Sequence, residues 1–234
     1  MRVLFFLFLA AVTSAAEDLA QVTTQLQAAL DGSVLTDAQK ALSMIPGLYG
    51  AGSEEQQKAA VEAVGKASKS DDLTLRHGAF AALGTMKAKG SSKYLTKWLT
   101  PPKRFKGEIP PSYAEAIRAA GLIADATTLA ALQELSDHND LPIAEGATQA
   151  LGGFKDLPTK RRKALAIELV DRLERLAAPP GRRKWNPEVY ARNAALAAAT
   201  MTALRGLTGK DYQTVEGWKS WKEKAEKEAD PFGS

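Results

Sequence analysis

Apolar residues recur along this chain with the period of an α-helix. Leu75, Ala79, Ala82, Leu83 and Met86 fall at i, i+4, i+7, i+8 and i+11, one stripe on a helix. The segment from Leu75 to Gly84 returns in altered form at Ala116 to Gly121 and at Ile143 to Gly152. A looser copy runs from Ala194 to Leu204. Superposing Gly84, Gly121 and Gly152 aligns Ala79 with Ala116 and Ala147, and Ala82 with Ala119 and Ala150. The steps from Gly84 to Gly121 and from Gly121 to Gly152 are 37 and 31 residues, the span of a two-helix solenoid unit. A glycine just after each stripe is expected to end or loosen its helix.

A second helix is expected after each of these. Asp125 is placed to cap one bearing Leu129, Leu132 and Leu135. Leu157-Pro158-Thr159 opens another with Leu165, Leu169, Leu173 and Leu176 on one stripe. No segment alternates apolar and polar with a period of two, so no strand is expected. Hairpins of this kind cannot bury their stripes alone and must stack. The fold expected is all-α.

The pattern of an apolar residue, Arg, spaced alanines and Ala-Leu-Gly resembles HEAT repeats, especially the short degenerate kind of bacterial proteins. The resemblance covers about residues 54–225 and implies a right-handed α-solenoid of stacked HEAT-like helical hairpins. Departures include Tyr113-Ala114 where Leu-Arg would be expected, so the register is open by several residues. A TPR array is disfavoured, because its Trp, Tyr and Pro positions do not recur at a fixed 34-residue step. Leu207-Thr208-Gly209-Lys210-Asp211-Tyr212, followed by Trp218 and Trp221, is similar to the terminal segment of secreted bacterial HEAT-repeat proteins. The two tryptophans share a helix face and are expected to lid the last apolar layer. A sugar-stacking or ligand platform is the alternative.

Taken in order, residues 1–16 read as a secretory signal. Met1-Arg2 precedes an apolar run from Val3 to Val12, then small residues with cleavage near Ala15 or Ala16. That run is short of the ~20 residues that span a bilayer. The solenoid is assigned to residues 17–225, with capping helices over 17–52 and repeats over 53–225. Within it, a helix is expected from about Thr36 to Ile45, Ser53 with Gln56 should form a capping box, and a partner helix should cover Ser91 to Leu99. Residues 226–234 are expected to form a flexible tail. Two Pro-rich insertions, 101–111 and 177–187, interrupt the repeats.

Composition narrows the chemistry. The chain has no cysteine, which removes disulfides and thiolate chemistry, and a formal net charge of +4. With 45% hydrophobic residues and 7% aromatic ones, the core must be built on Ala and Leu. His77 reads as a helix-flank residue. His138, with Asp137 and Asp140, could hold a cation, though the run lacks the length, glycine and final Glu of a calcium loop. Neither Gly-x-Ser-x-Gly nor a phosphate loop is present. Glu168, Asp171 and Glu174, interleaved with Arg172 and Arg175, read as a solvated face. No catalytic, cofactor or metal residue is assigned. Some HEAT-like repeats occur in phycobilin lyases, but no chromophore-handling residue stands out.

The two insertions carry the binding expectation. Lys103, Arg104, Phe105 and Lys106 in one, and Arg182, Arg183, Lys184 and Trp185 in the other, combine positive charge with an aromatic ring. In a solenoid both should emerge on one edge, suited to an acidic partner. A continuous basic stripe, as nucleic acid requires, is absent. The function expected is therefore a non-catalytic scaffold of the cell envelope or periplasm with a protein partner. The alternatives are a binder of anionic envelope polymer or lipid and, last, a HEAT-like lyase-type enzyme.

Overall fold

The computed structural model describes residues 18–88, 90–100, 108–178 and 186–233. Helix α1 covers residues 18–31, followed by α2 (Leu35–Leu48), α3 (Glu54–Ala67) and α4 (Leu73–Met86). Two short 3-10 turns, Ser91–Tyr94 and Thr96–Leu99, precede α5 (Pro111–Ile123) and α6 (Leu129–Ser136). Then come α7 (Leu141–Ala150), α8 (Thr159–Ala177), α9 (Pro187–Thr208) and α10 (Val215–Lys227). No strand occurs among the described residues.

Helix starts follow from short polar side chains that take up free backbone N–H groups. Ser53 and Gln56 form the expected capping box: the Gln56 N–H donates to Ser53 Oγ at 3.3 Å and the Ser53 N–H to Gln56 Oε1 at 2.8 Å. Asp72 accepts from the Leu75 N–H at 2.7 Å to open α4, and Thr214 from the Gly217 N–H at 3.1 Å to open α10.

The helices form two rows. In row A, α2, α4, α5, α7 and α9 pack one after another. In row B, α3 lies on α4, the 3-10 turns on α5, α6 on α7, α8 on α9, and α10 on α8. Phe80, Leu83, Ile117, Leu132, Ile143, Phe154 and Leu173 are buried between the rows. This is a HEAT-like α-solenoid. Trp218 and Trp221, both buried, close its C-terminal end, with Tyr212 packed edge-on against Trp218 at 5.1 Å.

Several local expectations are corrected. Gly84 and Gly121 do not end their helices. They lie inside α4 and α5, which stop three residues later at Lys87 (φ 49°) and Ala124 (φ 50°). The glycines mark where row-A helices cross: a Cβ on Gly84 would lie 3.0 Å from Ala119 Cα, and one on Gly121 2.7 Å from Ala150 Cα. Helix α2 starts at Leu35 with no side-chain cap and continues through Pro46 to Leu48. The stretch from Ser91 to Leu99 is two 3-10 turns rather than a helix. Asp125 holds the turn before α6, accepting from the Thr127 N–H at 3.0 Å, while Thr128 occupies the cap position.

The C-terminal segment read as a tail also packs. Phe232 is half-buried, 6.2 Å from Trp221 and 3.9 Å beneath the Arg162 guanidinium, while Lys163 Nζ donates to the carbonyl of Glu228 at 2.7 Å. Asp171 meets Lys222 of α10 within row B, so α8 does not present a purely solvated face.

Candidate functional site

On the side of row A away from row B, two solvent-open grooves run between successive helices. The α2–α4 groove, about 480 Å³, is floored by Leu42, Gly78 and Ala82 and edged by Gln39, His77 and Thr85. The α5–α7 groove, about 380 Å³, is walled by Leu122, Gly146 and Ala150, with Arg118 and Gln149 at its rim. Both depend on missing side chains. A Cβ on Gly78 would meet only Leu42 Cδ1 at 3.7 Å, and one on Gly146 only Ile117 Cγ2 at 3.7 Å, ordinary contact distances. Packing therefore does not require these two glycines, although each costs its helix roughly 1 kcal/mol against alanine. They stand six residues before Gly84 and Gly152, at matching repeat positions, and that register is legible in the sequence.

Arg118 is the charged group of the α5–α7 groove. Its Nε donates to Glu115 at 3.0 Å and its Nη2 at 2.5 Å, while the Arg118 side chain remains 53% exposed. The Glu115 side chain is only 10% exposed. Hydrogen bonding to that carboxylate, ahead of an opposing desolvation effect, raises the Arg118 pKa, so the side chain is a fixed cation.

The edge where row B leads into row A is tied by arginines. Arg76 Nη1 donates to the Ser70 carbonyl at 2.7 Å and Nε to Ser112 Oγ at 3.1 Å, with the guanidinium 4.6 Å from the Trp98 ring centre. Arg172 donates to Ser136 Oγ at 2.6 Å, to the Ser136 carbonyl, and to Asp137 at 2.8 Å. Arg192 holds the His138 and Asn139 carbonyls at 2.6 and 2.8 Å. The turn over residues 136–140 is thus grasped from α8 and α9. Cations at the end of α6 also suit its dipole.

This occupies the candidate cation ligands. Asp137 pairs with Arg172, and His138 Nδ1 accepts from the Asp140 N–H at 3.0 Å. No cluster of three or more His, Asp or Glu side chains able to hold a metal occurs among the described residues. His77 is exposed, at the edge of the α2–α4 groove.

The basic-aromatic residues expected to bind a partner, Lys103, Arg104, Phe105 and Lys106 with Arg182, Arg183, Lys184 and Trp185, lie outside the described residues. Their flanks leave from the arginine-tied edge. Thr100 shares a cavity with Asp137 and His138, and Asn186 caps α9 six residues before Arg192. The row-A grooves went unnoticed in the sequence because a lining position looks like any other small residue on an Ala-rich helix.

No helix among the described residues is long and apolar enough to cross a membrane. No protein-family model matches the chain, and no curated protein matches it. Among solved structures, it is similar to the complex of CpcE and CpcF of phycocyanin lyase from Nostoc sp. PCC7120, at 16% identity and a TM-score of 0.39, over 92% of this chain and 88% of that one. The expected reading as a non-catalytic envelope scaffold is corrected by this neighbour, which belongs to a lyase and not to a scaffold. A likeness of this size reaches no residue and no substrate.

Proposed function

We propose that this protein is a polypeptide-binding subunit of a larger assembly, holding an extended segment of another protein across the row-A grooves. The observation that carries this is the pair Gly78 and Gly146. Two helix-weakening residues at matching positions open two grooves, and the fold gains no packing from either. Glycine serves where something must approach a helix backbone closely. The grooves lie two row-A helices apart, roughly 20 Å at 8–10 Å per packed pair. An extended chain of about six residues, at about 3.3 Å each, bridges that span.

The test is panning of a random octapeptide display library on the full chain. Wild type should enrich a peptide pool. The Gly78→Leu/Gly146→Leu variant, which fills both grooves and keeps its helical content, should enrich none. Equal enrichment by both proteins would sink the proposal. Incubation of a selected peptide with the protein, followed by mass spectrometry, addresses chemistry: a covalent change in the peptide assigns the lyase-type class. Export directed by residues 1–16 belongs to the same proposal, and its test is a mature N-terminus at Ala16 or Glu17.

A further inference from the structure

We propose that Arg118 makes the α5–α7 groove selective for an acidic side chain in the bound polypeptide, an inference that rests on the polypeptide-binding reading above. A guanidinium has five N–H donors in a planar fork. Glu115 takes the Nε and one Nη2 hydrogen, leaving both Nη1 hydrogens and the second Nη2 hydrogen. One Nη1 hydrogen and the second Nη2 hydrogen lie side by side at the free end of the fork, the arrangement that receives a second carboxylate through two parallel hydrogen bonds. Glu115 also fixes the rotamer, so little side-chain freedom is lost on binding.

The surroundings select the sign. Ala114, Leu122, Gly146 and Ala150 add no charge to the groove, and its only other rim side chain able to donate is the exposed Gln149 amide. No Asp or Glu is among the residues that line the groove, and Glu115, paired with Arg118, is almost covered. An acidic residue entering the groove therefore meets donors and apolar walls, with no anion facing it. A basic residue meets Arg118 directly. The α2–α4 groove is lined by no Lys, Arg, Asp or Glu, so the acidic preference should be confined to one end of the bound segment.

The experiment compares octapeptide pools selected on wild type, on Arg118→Gln, and on the paired Glu115→Gln/Arg118→Gln variant. The paired variant removes both charges together and avoids leaving the Glu115 carboxylate buried without its cation. Wild type should enrich one Asp or Glu position, and changing it to Asn or Gln in a selected peptide should weaken binding by about tenfold or more. That difference should shrink as salt is raised. The paired variant should still enrich peptides but bind the acidic and amide forms alike. A wild-type pool with no acidic position, or a paired variant that still discriminates, overturns the role of Arg118 and leaves the polypeptide-binding reading standing. No pool from wild type overturns both.

Discussion

A Cβ placed on Gly153 would lie 1.9 Å from the carbonyl oxygen of Gly121. Helix α5 and the turn ending α7 touch backbone to backbone, and the same contact recurs one step on, where a Cβ on Gly206 would come within 2.8 Å of the Gly152 oxygen. The solenoid stacks on these crossings.

Glycines of the two kinds should respond oppositely to alanine. Gly153→Ala should lower stability by about 1–3 kcal/mol, because the rigid backbone opposite cannot yield. Gly78→Ala and Gly146→Ala should each raise it by about 0.5–1 kcal/mol, since their new methyl groups meet only ordinary contacts. Urea unfolding midpoints of the three variants check both signs.

Arg172 should matter more than its ion pair. Its side chain is 11% exposed, whereas that of Asp137 is 80% exposed. Arg172→Met gives up the bonds to Ser136 as well and should cost about 2 kcal/mol. Asp137→Asn removes a partner in water and should cost less than about 1 kcal/mol. Chemical denaturation of the two variants side by side gives the comparison, and equal losses would show that the pair alone does the work.

Removing residues 228–234 should uncover the C-terminal lid. Phe232 covers Trp221 and lies under Arg162. Its loss should cost about 2 kcal/mol through burial and the cation–π contact. Tryptophan emission should shift to the red, and Phe232→Leu should restore part of the stability. An unchanged spectrum would mean the segment is not packed in solution.

Asp125 should give the fold an acid-sensitive tie. Hydrogen bonds from the Thr127 N–H, and with smaller weight from Ser92 and Thr127 hydroxyls, hold its pKa below the usual carboxylate value against a desolvation effect that raises it. A depressed folded pKa means the stabilisation is complete above the unfolded value, near 3.9, and is lost as pH falls through the folded one. The stability gap between wild type and Asp125→Asn should therefore be constant near neutrality and shrink below about pH 4. Unfolding curves from pH 7 down to 2.5 test this, and a gap that widens in acid would reverse the assignment.

The sequence by itself determined the helical hairpins, their stacking and the lid of Trp218 and Trp221, because each follows from spacing along one helix. It also placed the Ser53 capping box, which needs only residues three apart. What it could not distinguish was a glycine that ends a helix from one that lets another helix touch: Gly84 and Gly121 looked like caps, while the chain turns at Lys87 and Ala124. Only the tertiary structure decided this, since the deciding atoms, Ala119 and Ala150, come from the next helix in the row. The same holds for Arg172, whose partners lie 35 and 36 residues away, and for Gly78 and Gly146, whose open grooves exist only once two helices lie side by side. Local periodicity reports which face of a helix is apolar, and the identity of what meets that face is fixed by packing.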